Sequence, residues 1–88
     1  MLFLSPEVLD VTDKQVTIDW GKGMPIVKGD VWEVCSQKSK TNSNGVVFFI
    51  KKPVGKITVQ RVDTDNSTGE ITGENLGIAE GCVLRKPQ

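Results

Sequence analysis

Four oxygen-bearing side chains in the last third of the sequence come closest to forming a chemical site. They hold the first, third, fifth and twelfth positions of a calcium-binding loop: Asp63, Asp65, Ser67 and Glu74. Oxygen ligands at this spacing can surround Ca²⁺. However, the sixth position of such a loop is a glycine that makes a sharp turn, and here it is Thr68. We therefore predict a solvated turn between strands and no metal site.

Few residues are candidates for acid–base or nucleophilic catalysis. The chain has no histidine, which removes the commonest general base and metal ligand. A serine or cysteine nucleophile would need a lysine or a carboxylate as its base, and no pair of carboxylates stands out from the turn residues. Gly21-Lys-Gly23 is too short for a phosphate-binding loop, which is longer and opens a helix. We predict that the chain is not an enzyme, has no catalytic residues and binds no cofactor.

The two cysteines, Cys35 and Cys82, leave two alternatives open. They are too few and too far apart in the chain for a zinc site or a disulfide framework. Both fall in predicted strands, where free cysteine is usually a small buried side chain. The other alternative is a single disulfide between strands, which requires a geometry that the sequence does not supply.

The flat rings of Trp20 and Trp32 suit stacking on a sugar. Trp20 is nevertheless in phase with Val16 and Ile18, which marks it as a core residue. Trp32 shares a strand face with Val34, so we expect it to be buried as well.

Length and charge limit the class of protein. A chain of 88 residues fits one domain, here residues 1–88 with a core of 6–86. The 11 basic and 11 acidic residues balance, so we predict no nucleic-acid partner and no general attraction to an anionic membrane. No stretch approaches the roughly 20 apolar residues of a membrane span. Met1–Leu4 lack the basic flank of a signal peptide, and we predict none.

Short stretches in which apolar and polar residues alternate predict strands through most of the chain. The first two, around Val8–Val11 and Val16–Trp20, should pair as a hairpin. The polar segment Gln37–Gly45 ends in Asn-Gly, and we expect it to be a mobile loop. These patterns predict an all-β fold, a small closed or partly open β-barrel of about six short antiparallel strands.

One strand differs from the others because it is continuously apolar. It consists of Val46, Val47, Phe48, Phe49 and Ile50. Such a run is either buried on both faces or packed against a partner. Left on an exposed edge it would promote aggregation, which Lys51, Lys52 and Pro53 would oppose.

The chain also contains a weak internal repeat. Residues 26–31, IVKGDV, match residues 78–83, IAEGCV, in the pattern apolar-x-x-Gly-x-Val. The second copy has Cys82 where the first has Asp30. This repeat predicts two duplicated strand-turn-strand halves, in which Gly29, Asp30 and Gly81 are structural turn residues.

Three sequence stretches carry a resemblance to a known family. They are Val-x-Ile-x-x-Gly-x-Gly-x-x-x-x-x-Gly-Asp-x-x-x-Val at residues 16–34, Val-Gly-Lys-Ile-Thr-Val-x-x-Val at residues 54–62, and Ile-x-x-Gly-x-Val at residues 78–83. Together they resemble the small β-barrel found as the C-terminal domain of the flagellar assembly protein FlgT and in assorted bacterial cell-envelope proteins. The Gly29-Asp30 step is also similar to the Gly-Asp box of cradle-loop barrels.

The resemblance implies a non-enzymatic structural or assembly module in the periplasm or cell envelope. Such a module would dock to neighbouring domains or subunits, and we expect the strand Val46–Ile50 to be its interaction surface. A homo-oligomer is one form that this docking could take. The alternative is a ligand-binding β-barrel for a sugar or a peptide, which would use Trp32 and the turn loops.

Overall fold

Six β-strands form the regular structure of residues 5–86, the part of the chain described by a computed structural model. They are β1 (Val8–Thr12), β2 (Gln15–Ile18), β3 (Val31–Thr41), β4 (Val47–Val62), β5 (Ser67–Thr72) and β6 (Val83–Arg85). The described residues contain no helix. The segment in which we predict no signal peptide, Met1–Leu4, lies outside the described residues.

The strands form one antiparallel sheet in the order β1-β2-β5-β4-β3-β6. The sheet is not closed by a continuous ladder, but its two outer strands meet at one bridge, Glu7 to Val83. At this junction the Val8 amide donates to the Cys82 carbonyl over 2.8 Å, and the Gly81 amide donates to the Val8 carbonyl over 2.9 Å. The prediction of an all-β fold, a small closed or partly open antiparallel barrel, is therefore confirmed, and the barrel is partly open.

The barrel interior is filled by the apolar residues that alternate along the strands. Thirteen side chains form this core: Val8, Val16, Ile18, Ile26, Trp32, Val34, Val54, Ile57, Val59, Ile71, Ile78, Cys82 and Leu84. Their removal from water supplies the main driving force for folding, because burial of apolar surface dominates the free energy of small domains.

The internal repeat corresponds to two turns of the same geometry. Gly29 and Gly81 have φ angles of 94° and 93°, and a hydrogen bond of 3.1 Å closes each turn, from Asp30 N to Val27 O and from Cys82 N to Ala79 O. Each turn also docks on one valine. The Val59 carbonyl accepts from the Gly29 amide, and the Val59 amide donates to the Asp30 carbonyl, both over 2.8 Å. In the second turn, Val8 makes the same two bonds with the Gly81 amide and the Cys82 carbonyl. The two halves of the barrel are therefore built alike.

The hairpin of β3 and β4 extends well beyond the barrel. The two strands have 11 and 16 residues, and the described part of the molecule measures 44 × 31 × 24 Å. The predicted mobile loop at Gln37–Gly45 is wrong over its first half, since residues 37–41 belong to β3 and pair with residues 47–51. Backbone hydrogen bonds of the antiparallel ladder form here without any buried apolar side chain.

Candidate functional site

The candidate site is the projecting end of this hairpin, residues 37–51, which we call the arm. Its register runs from the pair Gln37–Lys51 to the pair Thr41–Val47. On the outer side of β3, β6 pairs only with Glu33–Cys35. On the outer side of β4, the pairing with β5 begins at Lys56. Within the described residues, both outer edges of the arm therefore lack a neighbouring strand.

A polar turn, organised by Asn42, ends the arm. The Asn42 side-chain carbonyl accepts from the amides of Asn44 and Val46 at 2.9 and 3.0 Å. The Asn42 backbone amide donates to the Val46 carbonyl at 2.9 Å. Gly45 completes the reversal of chain direction with a φ of 82°. An asparagine side chain that caps its own turn is a common device of loops. The tip of the arm is thus polar and satisfies its own hydrogen bonds.

The apolar run predicted to be buried or to face a partner lies on the arm, exposed to solvent. The exposed fractions are 49% for Val46, 53% for Val47, 51% for Phe48, 67% for Phe49 and 52% for Ile50. Val46 belongs to the turn, and the other four begin β4. Single exposed apolar residues are ordinary, whereas a contiguous exposed apolar patch is uncommon on a folded domain.

The two faces of the arm differ in chemistry. Successive residues of a strand point to opposite faces. One face therefore carries Val47 and Phe49, which pair with Thr41 and Ser39. The other face carries Phe48 and Ile50, and here the paired residues are lysines, Lys40 and Lys38. This second face, which we call the basic face, therefore carries two lysines among its apolar residues, whereas the first face carries one lysine, Lys51, at the base of the arm.

A cleft of about 620 Å³ lies at the base of the basic face. Its lining is Ser36, Lys38, Ile50, Lys52, Pro53, Val54, Leu76 and Gly77. One wall is the segment after β5, which is attached to β4 by a hydrogen bond of 2.8 Å from Leu76 N to Val54 O. The Leu76 side chain is 70% exposed. A volume of this size accommodates a small ligand or several side chains of a partner.

The wall that presents Leu76 is itself held in place. The Asn75 side-chain carbonyl accepts from the amides of Gly77 and Ile78 at 3.0 and 2.7 Å. Ile78 is buried in the core, so it ties this turn to the barrel. Leu76 is not among the candidate surface residues predicted from the sequence. The neighbouring Asn75 and Gly77 are the signal that would have marked it as a turn residue.

The predicted structural turn residues lie at the barrel junctions and not at the arm. Gly29 and Gly81 occupy the two equivalent turns, and the Asp30 carboxylate accepts a hydrogen bond of 3.2 Å from the Val27 amide. A hydrogen bond from Lys86 lowers the pKa of Asp30 below its ordinary value, and the bond from the Val27 amide adds to this effect. These contacts, both to Oδ2 of Asp30, stabilise the turn.

The two tryptophans pack against each other. Their ring centroids are 5.9 Å apart and the ring planes meet at 83°, an edge-to-face pair. Trp32 is only 4% exposed and belongs to the core, while Trp20 is half-buried against it. The Trp32 indole N–H is buried without a hydrogen-bond partner. Trp32 therefore offers no open face for stacking on a sugar.

The calcium-loop residues do not converge. Ser67 is fully buried at the start of β5, where its hydroxyl donates to the Trp20 carbonyl over 2.7 Å. Asp63 pairs with Arg61 over 3.0 Å. Across residues 5–86, no group of three or more histidine, cysteine or acidic side chains is placed to hold a metal ion.

Both cysteines are buried free thiols, so the disulfide alternative is not formed. Burial raises the pKa of the Cys35 thiol, which keeps it protonated. The Cys82 thiol lies 3.7 Å from the Gly77 carbonyl. Cys35 is buried next to Val34, although the alternation predicts opposite faces, because the register of β3 and β4 shifts between these two residues.

Comparison with known proteins gives no family. No protein-family model matches the chain, and no curated protein matches it. The resemblance to the FlgT barrel therefore stays a prediction. Among the residues that the structure describes, no helix is long and apolar enough to cross a bilayer.

Proposed function

We propose that the chain is a non-enzymatic docking module, in which a barrel presents the arm to another protein. The observation that carries this proposal is the exposure of Val46–Ile50, each about half or more accessible, on a projecting hairpin. Exposure of an apolar patch to water is unfavourable in free energy, and association with a partner removes that exposure. None of these five side chains belongs to the core.

The free edges of the arm support the same proposal. Unpaired strand edges expose backbone amides and carbonyls that a partner strand can use. At the base of the arm, Lys51, Lys52 and Pro53 interrupt the apolar sequence. Charged residues and proline at an edge limit uncontrolled pairing. The arm is thus suited to a selective partner rather than to aggregation.

The setting in a bacterial envelope assembly belongs to this proposal through the resemblance alone. The competing function, a sugar- or peptide-binding barrel built on Trp32, loses its main support because Trp32 is buried. No other observation favours stacking of a sugar, so we retain the docking function.

Site-specific photocrosslinking tests the proposal. The photoreactive amino acid p-benzoylphenylalanine would replace Phe49 in the protein expressed in its source cells. The matched control is the same replacement at Val27, which is 62% exposed against 67% for Phe49 but lies on the barrel. We expect a discrete protein adduct from position 49 and none from position 27. Absence of an adduct at position 49, or equal adducts at both positions, would refute arm docking.

A further inference from the structure

The balanced charge of the chain conceals a strong segregation along the sequence. Between residues 34 and 62 there are six basic residues and no carboxylate: Lys38, Lys40, Lys51, Lys52, Lys56 and Arg61. The rest of the chain therefore has the other five basic residues and all 11 acidic ones. The arm is positive while the remainder of the barrel is negative, although the sum is zero.

The arm lysines are not used by the fold. The ion pairs of the described residues are Arg61–Asp63, Arg85–Glu33 and Lys86–Asp30. None of them includes a lysine of the arm or Lys52. Four ammonium groups at positions 38, 40, 51 and 52 are thus available to an external partner.

At the cleft, basic and apolar groups meet on one surface. Lys38 and Lys52 supply the ammonium groups, while Ile50, Val54 and Leu76 supply the apolar lining. Apolar contacts exclude water, and an ion pair is stronger where water is excluded. A partner matched to this surface must therefore carry carboxylates next to apolar side chains.

We propose that the cleft and the basic face of the arm bind an extended protein segment that presents carboxylates and aliphatic side chains on the same face. This inference rests on the proposed docking function and names the chemistry of its partner. The Lys38 and Lys52 ammonium groups donate to the carboxylates, while the aliphatic side chains pack on Ile50 and Leu76. The free outer edge of β4 provides backbone groups for an extended segment.

Two other anionic partners fit the arm less well. Insertion of the arm into a bilayer would first bury the polar side chains of the turn Asn42-Ser43-Asn44 in hydrocarbon, which is unfavourable. Single-stranded nucleic acid binds through a series of aromatic platforms, whereas the basic face has one aromatic ring, Phe48, and the cleft lining has none. An extended acidic protein segment uses both the free edge and the aliphatic lining.

Fluorescence anisotropy with two synthetic peptides tests the inference. The probe is a labelled peptide of repeated Glu-Thr-Leu-Thr units, which places glutamate and leucine on the same face of an extended chain. Its control has glutamine at every glutamate. We expect the glutamate peptide to bind about tenfold more tightly, a difference of about 1.4 kcal/mol, and to weaken as salt is added. Failure of the glutamate peptide to bind, or equal affinity of the two peptides, would overturn the inference.

A pair of double variants assigns the effect to the cleft. Lys38→Gln with Lys52→Gln should abolish the preference for glutamate. Lys22→Gln with Lys28→Gln removes the same charge from exposed sites on the barrel and should leave the preference unchanged. Equal effects of both double variants would show non-specific attraction and overturn the inference.

Further measurements distinguish other possible occupants of the cleft. Tighter binding to phosphatidylglycerol vesicles or to a single-stranded oligonucleotide than to the glutamate peptide would overturn the inference in favour of that ligand. Self-association in light scattering that is lost in the Lys38→Gln, Lys52→Gln variant would instead assign the cleft to a second copy. If crosslinking at position 49 persists in this double variant, the acidic partner is refuted while the docking function stands.

Discussion

The ammonium group of Lys86 lies 4.8 Å from the ring centroid of Trp32. The same group donates a hydrogen bond of 2.9 Å to the Asp30 carboxylate. A cation above an indole ring is attracted by the π system, so one side chain joins the end of the described chain to the first barrel turn. This contact spans 56 positions of sequence, and no local sequence pattern predicts it.

The Asp30–Lys86 contact predicts an acid-sensitive contribution to stability. Lys86 lowers the pKa of Asp30 in the folded protein below its ordinary 3.8. A lowered folded-state pKa stabilises the fold above the unfolded-state value, and this contribution is lost as the pH falls through the folded-state value. Asp30→Asn should therefore cost stability near neutral pH, and the difference from the wild type should shrink below pH 3.8.

Urea denaturation at a series of pH values measures this difference. Lys86→Gln should reproduce the pH dependence of Asp30→Asn, because it removes the partner, whereas Lys28→Gln on the exposed turn should not. A constant difference between Asp30→Asn and the wild type at all pH values would show that the ion pair makes no contribution.

The equivalence of the two barrel turns predicts equal costs for two substitutions. An added Cβ at Gly29 or Gly81 meets no atom within 4 Å, but both residues have a positive φ. Gly29→Ala and Gly81→Ala should each destabilise the fold by about 1–2 kcal/mol through backbone strain alone. Chemical denaturation of the two variants and of Lys28→Ala as a control checks this. An unchanged denaturation midpoint for Gly29→Ala would contradict the turn assignment.

Loss of the buried Ser67 hydroxyl should destabilise the fold more than the small size of the group suggests. It donates to the Trp20 carbonyl over 2.7 Å at a position with 0% exposure. Ser67→Ala leaves that carbonyl without its donor and should cost about 1–3 kcal/mol. Ser39→Ala, at an exposed position of the arm, should change the free energy of unfolding by less than about 0.5 kcal/mol. Equal stability of the two variants would show that the buried bond is replaced by another.

We expect the barrel to fold without the arm. Replacing residues 38–50 with Asn-Gly joins the pair Gln37–Lys51 through a two-residue turn, the sequence that such hairpins prefer. No residue removed is buried, so the free energy of unfolding should stay within about 1 kcal/mol of the wild type. Circular dichroism and denaturation measure this. An unfolded product would show that the arm belongs to the folding unit and would weaken the docking proposal.

Local sequence patterns sufficed for the barrel but not for the arm. Val16 and Ile18 alternate with polar neighbours and are buried, as period-two patterning predicts. The polar residues Gln37–Thr41 carry no such pattern, and the antiparallel ladder with Lys51–Val47 makes them a strand. Cross-strand pairing depends on a partner distant in the chain, which a local window does not contain.

The candidate site was predictable only in part for the same reason. Residue type alone marked Val46–Ile50 as unusual, but buried and partner-facing strands have the same composition. Lys38 and Ile50 become neighbours through the β3–β4 register. Leu76 joins them through its backbone bond to Val54, so the cleft exists only in the assembled sheet.

By itself, the sequence determined the all-β class, the core positions on alternating strands and the two glycine turns, because each depends on a short-range period or on a backbone angle. Only the tertiary structure decided that the most apolar stretch projects into solvent and that basic and apolar side chains share a cleft. These properties follow from strand order and register, which depend on the free energy of the whole sheet rather than on any one segment.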